Sequence, residues 1–253
     1  MAETLEGTVA LVTGASSGIG EATARLLAQR GAAVSIVARR KERLDALASE
    51  IGAAGGRALV IEADVSDQKQ AAGAVEQTVA ELGRLDTLVN NAGVMLLGPI
   101  VDAPLEEWER MISVNVLGLL YCTHAGLPHL LKAAEREPRQ VADVVNVSSV
   151  AGRRANRNAG VYNLTKFGVN AFSESLRQEV TREHVRVSLV EPGAVKTELR
   201  SHLRPEIRNQ PSVFDDIETL EAEDIADAIA YIVTRPRREA VNEILIRPTE
   251  QEP

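Results

Sequence analysis

The chain has 253 residues, of which 45% are hydrophobic, 3% aromatic and 25% charged, with a formal net charge of -8. A chain of this length buries roughly three quarters of its unfolded surface, and single α/β domains of this size are common; the acidic balance, with its basic residues scattered, argues against nucleic acid or an anionic membrane as a partner, because both reward clustered Lys and Arg. Cys122 is the only cysteine, which excludes an intrachain disulfide and points to a cytoplasmic location.

Residues 1–6 are acidic and lack the basic and apolar regions of a signal peptide. A first strand is expected at 9–13, running into Thr13-Gly14-Ala15-Ser16-Ser17-Gly18-Ile19-Gly20 and a helix over 19–29, with Gly31 suited to a left-handed cap. A strand at 33–38 leads into Arg39-Arg40 and a helix at 41–54. A strand at 58–62 precedes a helix at 68–82, for which Ser66 is the expected N-cap. The strand at 87–90 ends in Asn90-Asn91-Ala92-Gly93, and a long helix covers 105–132. Its apolar runs, such as 114–121, are too short or interrupted to span a bilayer, so no membrane is expected as a partner. A strand at 141–147 ends in Ser148-Ser149, followed by a helix at 161–182 and a strand at 185–191. Residues 192–220 show no periodicity, and a loop this long reads as a mobile lid over a substrate. A helix at 222–234 and a strand at 243–246 complete the chain.

Short β-branched runs alternating with helical segments are the pattern of βαβ units. The expected fold is therefore α/β: one Rossmann-type, doubly wound domain over 1–253, with a seven-stranded parallel sheet and helices on both faces. Low aromatic content means a core of Ala, Val, Leu and Ile.

Three features carry chemistry. Gly14, Gly18 and Gly20 stand where a first strand turns into a helix. Glycine there permits positive φ and close backbone approach, and the helix N-terminus offers amides to a pyrophosphate. Tyr162 and Lys166 lie four residues apart, on one helical face with Cβ atoms roughly 5 to 6 Å apart. A phenol has a reference pKa of about 10, so a tyrosine that exchanges protons needs a nearby cation, and Lys166 is placed to be one. Isolated Tyr-x-x-x-Lys pairs are usually solvated helix surface; the ordered company of the glycine turn, the serine pair and Asn90 to Gly93 argues otherwise. At the end of the second strand no acidic side chain stands at Ala38 to accept ribose hydroxyls. Arg39 and Arg40, with Ser16, instead suit a 2'-phosphate, so NADP(H) is the expected cofactor; the competing reading makes both arginines ordinary surface charges.

Thr13-Gly14-x-x-x-Gly18-x-Gly20, Asp64-Val65, Asn90-Asn91-Ala92-Gly93, Asn115, Ser149, Tyr162-x-x-x-Lys166 and Pro192-Gly193 together resemble the short-chain dehydrogenases/reductases over about residues 7–247. Residues 93–99, 166–174 and 243–249 look closer to the clavulanic acid dehydrogenase-like NADP-dependent reductases. The resemblance implies hydride transfer between the cofactor and a carbonyl carbon, with Tyr162 as general acid and base and Ser149 bonding the same oxygen. It implies that Lys166 supports the Tyr162 phenolate and bonds the nicotinamide ribose, and that Asn115 kinks a helix and holds a water in a proton relay. The competing reading of Asn115 is a buried polar residue satisfying backbone. Ser149 is preferred to Ser148 because thirteen residues separate it from Tyr162. Cofactor contacts are implied for Gly14, Ser16, Ser17, Gly18, Ile19, Gly20, Arg39, Arg40, Asp64, Val65, Asn91, Ala92, Gly93, Tyr162, Lys166, Pro192, Gly193, Val195 and Thr197. Asp64 would sit near the adenine, and Thr197 would bond the carboxamide; as bare residues, Asp64 and Asn91 to Gly93 are equally turn formers.

The substrate is expected to be a small carbonyl or alcohol compound, contacted by Met95, Ser149 and Arg154. Arg153, Arg154 and Arg157 suggest a carboxylated one, unless all three are solvated. A homotetramer is implied, built on the helices carrying Asn115 and Tyr162. No metal is expected, because none of the four histidines is spaced with acidic or sulfur partners. Two alternatives stand beside a carbonyl reductase: a ketoreductase acting on carrier-bound thioesters, and a protein that senses NADP(H) without turnover. The C-terminus departs from the family in lacking Asp-Gly-Gly after the last strand.

Overall fold

The computed structural model describes residues 4–101, 103–210 and 216–252. Seven strands run parallel: β1 (Val9–Thr13), β2 (Ala33–Ala38), β3 (Arg57–Glu62), β4 (Thr87–Asn90), β5 (Ala142–Val147), β6 (Val185–Pro192) and β7 (Glu243–Ile246). Their order in the sheet is β3-β2-β1-β4-β5-β6-β7. The chain thus reverses its direction of travel between β1 and β4, which opens a crevice beyond their carboxyl ends.

Helices α1 (Gly18–Gln29), α2 (Lys41–Ala53), α3 (Gln68–Leu82), α4 (Leu105–Ile112), α5 (Leu119–Ala134), α6 (Gly160–Val180), α7 (Pro205–Arg208) and α8 (Ala222–Val233) connect them. Strand alternation sends neighbouring side chains to opposite faces. Val12, Ile36 and Val145 meet Leu27 of α1, Leu44 of α2 and Ile229 of α8 on one side. Leu11, Val37 and Val144 meet Val75 of α3, Leu130 of α5 and Leu176 of α6 on the other. Burying each such side chain contributes about 1.5 to 3 kcal/mol. Two-sided burial explains why the strands read as continuous apolar runs.

The expected doubly wound architecture is present, with differences at the boundaries. The third-helix cap is Asp67, whose side chain accepts from Gln70 N, and not Ser66. Ser66 Oγ instead donates to Asp64 Oδ1 at 2.7 Å, closing a turn one residue earlier. The helix expected as one piece at 105–132 contains a π-helical turn at Ser113–Gly118. Across Leu105–Ala134 the best window reaches a mean hydropathy of 1.2, long and apolar enough to cross a membrane by length and composition. That differs from the expectation drawn from uninterrupted runs, because an average tolerates the single polar residues that break a run. Here Cys122, Leu130 and Ala133 of this stretch pack on the sheet residues Leu88 and Val144.

The aperiodic stretch 192–220 is tied down at its base. Val195 and Leu220 form an isolated parallel bridge, with Lys196 N donating to Leu220 O at 2.8 Å. Between them lie a 3-10 turn at Glu198–His202 and the short α7. Residues 211–215 of the expected lid lie outside the described residues.

Candidate active site

A cleft of about 310 Å³ opens at the carboxyl edge of the sheet. Nineteen of the residues singled out above line it; Gly20, Asn115, Met95 and Arg154 do not.

The β1–α1 turn needs its glycines. Gly14 and Gly18 have φ of +68° and +56°, the left-handed region that L side chains rarely adopt. A Cβ at Gly14 would stand 2.8 Å from Ala92 Cα, and one at Gly18 would stand 3.0 Å from the Thr197 methyl. A Cβ at Gly20 would overlap the Asn91 amide and the Gly14 carbonyl. Asn91 braces this turn: its Nδ2 donates to Thr13 O at 3.0 Å, while Asn91 N and Ala92 N both donate to Thr13 Oγ1. The residues after β4 therefore hold the turn in shape as well as line the cleft.

At the end of β2, Arg40 reaches back to the turn. Its Nε donates to Ser16 Oγ at 3.1 Å and its Nη2 to Ser17 Oγ at 2.7 Å. Arg40 Nη1 and Arg43 Nη1 each stand 2.8 Å from a different oxygen of Glu198. The hydrogen bond from Arg40 outweighs slight burial and, with Arg43, holds the Glu198 carboxyl below its usual pKa. Arg39 Nη1 lies 3.6 Å from Asp64 Oδ2. Burial works against the Asp64 carboxylate, but hydrogen bonds from Ser66 and the charge of Arg39 together lower its pKa. Asp64 is thus both turn former and cleft wall. His202, also on the cleft, has its pKa lowered by burial and then by Arg110, Arg40 and Arg39. At this end of the cleft, then, Arg39, Arg40 and Arg43 are paired with the carboxylates of Asp64 and Glu198.

At the other end stand Ser149, Tyr162 and Lys166. Strand β5 delivers Ser149, and the first turns of α6 deliver the other two. Ser149 and Tyr162 line the same part of the cleft. Ser149 Oγ accepts from Ala151 N at 3.1 Å and lies 3.5 Å from Pro192 O. Lys166 Nζ sits 5.8 Å from the centre of the Tyr162 ring and donates to Val147 O at 2.9 Å. Burial pushes the Tyr162 phenol above its usual pKa, and Ser149 opposes that rise. Burial pushes Lys166 down to about 8. Loss of water around the ring therefore sets the direction of the Tyr162 shift, while the Lys166 ammonium is bonded to a carbonyl. Ser148 points elsewhere, donating to Asn170 Oδ1 at 2.6 Å.

Asn115 sits in the π-helical turn and is buried. Its Oδ1 accepts from Val94 N at 2.8 Å, and its Nδ2 donates to Val94 O at 2.9 Å and to Thr165 Oγ1 at 3.3 Å. It ties the segment following β4 to α6. Val65 packs under the same turn, where a Cβ on Gly118 would meet its Cγ2 at 3.0 Å. Beyond β6, Gly193 N donates to Ile246 O at 2.7 Å, and Ala194 N donates to Gln251 Oε1 at 2.9 Å. The divergent C-terminus therefore anchors the Pro192-Gly193 loop. Thr197 Oγ1 accepts from Leu199 N at 3.3 Å, and Ile19 packs against the α1–α8 core.

The arginines after Ser149 do not form a cluster at the cleft. Arg153 donates to the buried Glu191 at 2.7 Å and also pairs with Glu243, on the β6–β7 side. Met95 is half-buried in the apolar cluster that contains Tyr162, Val94 and Leu96. Glu198, Leu199 and His202 also line the cleft, from the stretch expected to cover the substrate, but sequence reasoning did not single them out. The only signal for them was proximity to Thr197, because the stretch has no periodicity.

A sequence profile described as short chain dehydrogenase matches residues 8–208. An uncharacterized oxidoreductase of Staphylococcus epidermidis is 36% identical over 240 residues, covering 95% of this chain and 96% of that protein. Among solved structures, the closed form of a serine dehydrogenase complexed with NADP+ is 31% identical with a TM-score of 0.86, covering 97% of this chain and 96% of that one. A 3-ketoacyl-(acyl-carrier-protein) reductase from Brucella melitensis complexed with NADH is 32% identical with a TM-score of 0.84, covering 96% and 98%.

Proposed function

The chain belongs to the short-chain dehydrogenase family, and on that premise we propose that it is an NADP(H)-dependent oxidoreductase interconverting an aldehyde or ketone and its alcohol, with Tyr162 as general acid and base. The observation that carries this reading is that Ser149, Tyr162 and Lys166 line one cleft together, with Lys166 Nζ 5.8 Å from the Tyr162 ring. The residues fit the cofactor: the glycine turn leaves no room for a Cβ at Gly14 or Gly20, and α1 begins at the cleft. Arg39, Arg40 and Ser16 favour the 2'-phosphorylated form, as does the likeness to the NADP+ complex of serine dehydrogenase.

When bound, the nicotinamide supplies or accepts the hydride. In the reductive direction Tyr162 Oη gives its proton to the substrate oxygen, and Ser149 Oγ donates a second hydrogen bond there as negative charge grows. Burial keeps the phenol protonated at neutral pH, which suits an acid. The Lys166 ammonium, charged below about 8, stabilises the phenolate left behind. Asn115 keeps Val94 and α6 in register around this pair.

Met95, in the apolar cluster that contains Tyr162, and Arg154, shortly after Ser149, are the proposed substrate contacts. The substrate is an aldehyde or ketone of the kind the resemblance to clavulanic acid dehydrogenase-like reductases suggests. A homotetramer is supported by the exposed Leu105 and Ile112 on α4 and Leu164 and Phe167 on α6. A cytoplasmic location fits the single, buried Cys122. A second reading, reduction of carrier-bound 3-ketoacyl thioesters, is favoured by the likeness to the Brucella reductase.

A panel of aldehydes, ketones and 3-ketoacyl thioesters monitored by NADPH absorbance tests the proposal. Turnover that disappears in Tyr162→Phe is expected, and absence of turnover across the panel would refute it.

A further inference from the structure

Glu198 bridges two guanidinium groups, that of Arg40, which lines the cleft, and that of Arg43 on α2. Its two carboxylate oxygens each lie 2.8 Å from a different arginine, Oε2 from Arg40 Nη1 and Oε1 from Arg43 Nη1. Arg40 is at the same time fixed on the glycine turn by Ser16 and Ser17. An anion bridging two guanidinium forks beside a pair of hydroxyls is the arrangement that recognises a phosphate monoester. Glu198 comes from the far side of the molecule, after β6, and lies in the cleft lining itself. All three side chains keep solvent access, at 45% for Arg40, 51% for Arg43 and 39% for Glu198, so the carboxylate is displaceable.

We infer that Glu198 is an internal anion occupying the 2'-phosphate subsite, so that it tunes the choice of cofactor: NADP(H) binds by exchanging this carboxylate for its own phosphate, whereas NAD(H) binds without disturbing it. The inference rests on the NADP(H) reading above. The exchange also acts on the substrate side, because Glu198 opens the turn Glu198–His202 whose Leu199 and His202 line the cleft, and because its neighbour Thr197 rests on Gly18. A 2'-phosphate that takes Arg40 and Arg43 releases the point at which this segment is pinned.

The test is the dissociation constant of NADPH and of NADH for the wild type, Glu198→Gln and Glu198→Ala, measured by nucleotide fluorescence. Removing an exposed ion pair that competes with the ligand is expected to tighten NADPH by about three- to tenfold in both variants and to change NADH by less than about twofold. Unchanged or weaker NADPH binding in both variants overturns the inference, as does equal tightening of both nucleotides, which would mean general opening of the cleft. Tighter binding of NADH than NADPH by the wild type would instead overturn the cofactor reading beneath it.

Discussion

Asn115 grips Val94 by both of its backbone groups, accepting from the amide at 2.8 Å and donating to the carbonyl at 2.9 Å. Val94 follows the loop that lines the cleft, and Asn115 stands in the one π-helical turn among the described residues. A helix widened at that point brings a short polar side chain to an irregular strand end whose backbone would otherwise be buried without partners.

Replacing Asn115 by Ala strands both Val94 groups. Each unsatisfied buried group costs about 1 to 3 kcal/mol, so a stability loss of about 2 to 6 kcal/mol is expected in urea unfolding. Turnover should fall with it, since Thr165 and α6 lose the same tie. An unchanged unfolding midpoint would mean that the clamp contributes nothing.

The two adjacent serines should separate cleanly. Ser149→Ala removes a hydrogen bond to the reacting oxygen and is expected to lower kcat by about 100-fold or more. Ser148→Ala breaks the bond to Asn170 and a long one, 3.4 Å, to the Lys166 carbonyl, so it should cost about 1 kcal/mol of stability and leave kcat within about threefold. Equal loss of kcat in both would remove the case for Ser149.

On the proposed mechanism, Lys166 sets a pH limit on reduction. With its pKa pushed down to about 8 by burial, the ammonium is charged below that value and neutral above it. Reductive kcat/KM should therefore be level near pH 7 and decline as pH rises through about 8, when the cation that stabilises the Tyr162 phenolate is lost. A profile level to pH 10 would exclude this role.

Gly20 marks the tightest point of the turn. A Cβ there collides with the Gly14 carbonyl and with the Asn91 amide that braces the same loop, so neither neighbour yields cheaply. Gly20→Ala is expected to weaken NADPH binding by at least about tenfold while far-ultraviolet circular dichroism stays native, because the strain is confined to the turn. Wild-type affinity in this variant would show that the turn can widen.

Much of this molecule was legible in the chain itself. Strands such as 9–13 and 243–246 appear at their expected positions, because two-sided burial in a parallel sheet demands short apolar runs and leaves little freedom in where they end. The spacing of Gly14, Gly18 and Gly20, and of Ser149, Tyr162 and Lys166, was equally visible, since each set is local or nearly so. The Ser66 cap was misplaced by one residue because Ser66 and Asp67 are both competent caps, and only the Asp64 turn chooses between them.

What the sequence determined by itself was the sheet, its helical layers and, through motif spacing, the candidates for moving a proton or seating a pyrophosphate. Long-range pairing decided the rest. Arg153 was drawn away from the cleft by Glu191, 38 residues onward, and Glu198 was brought to Arg40 across a separation of 158 residues. The direction of the Tyr162 shift likewise depends on how much water the folded chain removes from the ring. Contacts between side chains so far apart leave no local pattern, because nothing in the spacing of either partner fixes the distance between them until the sheet has assembled.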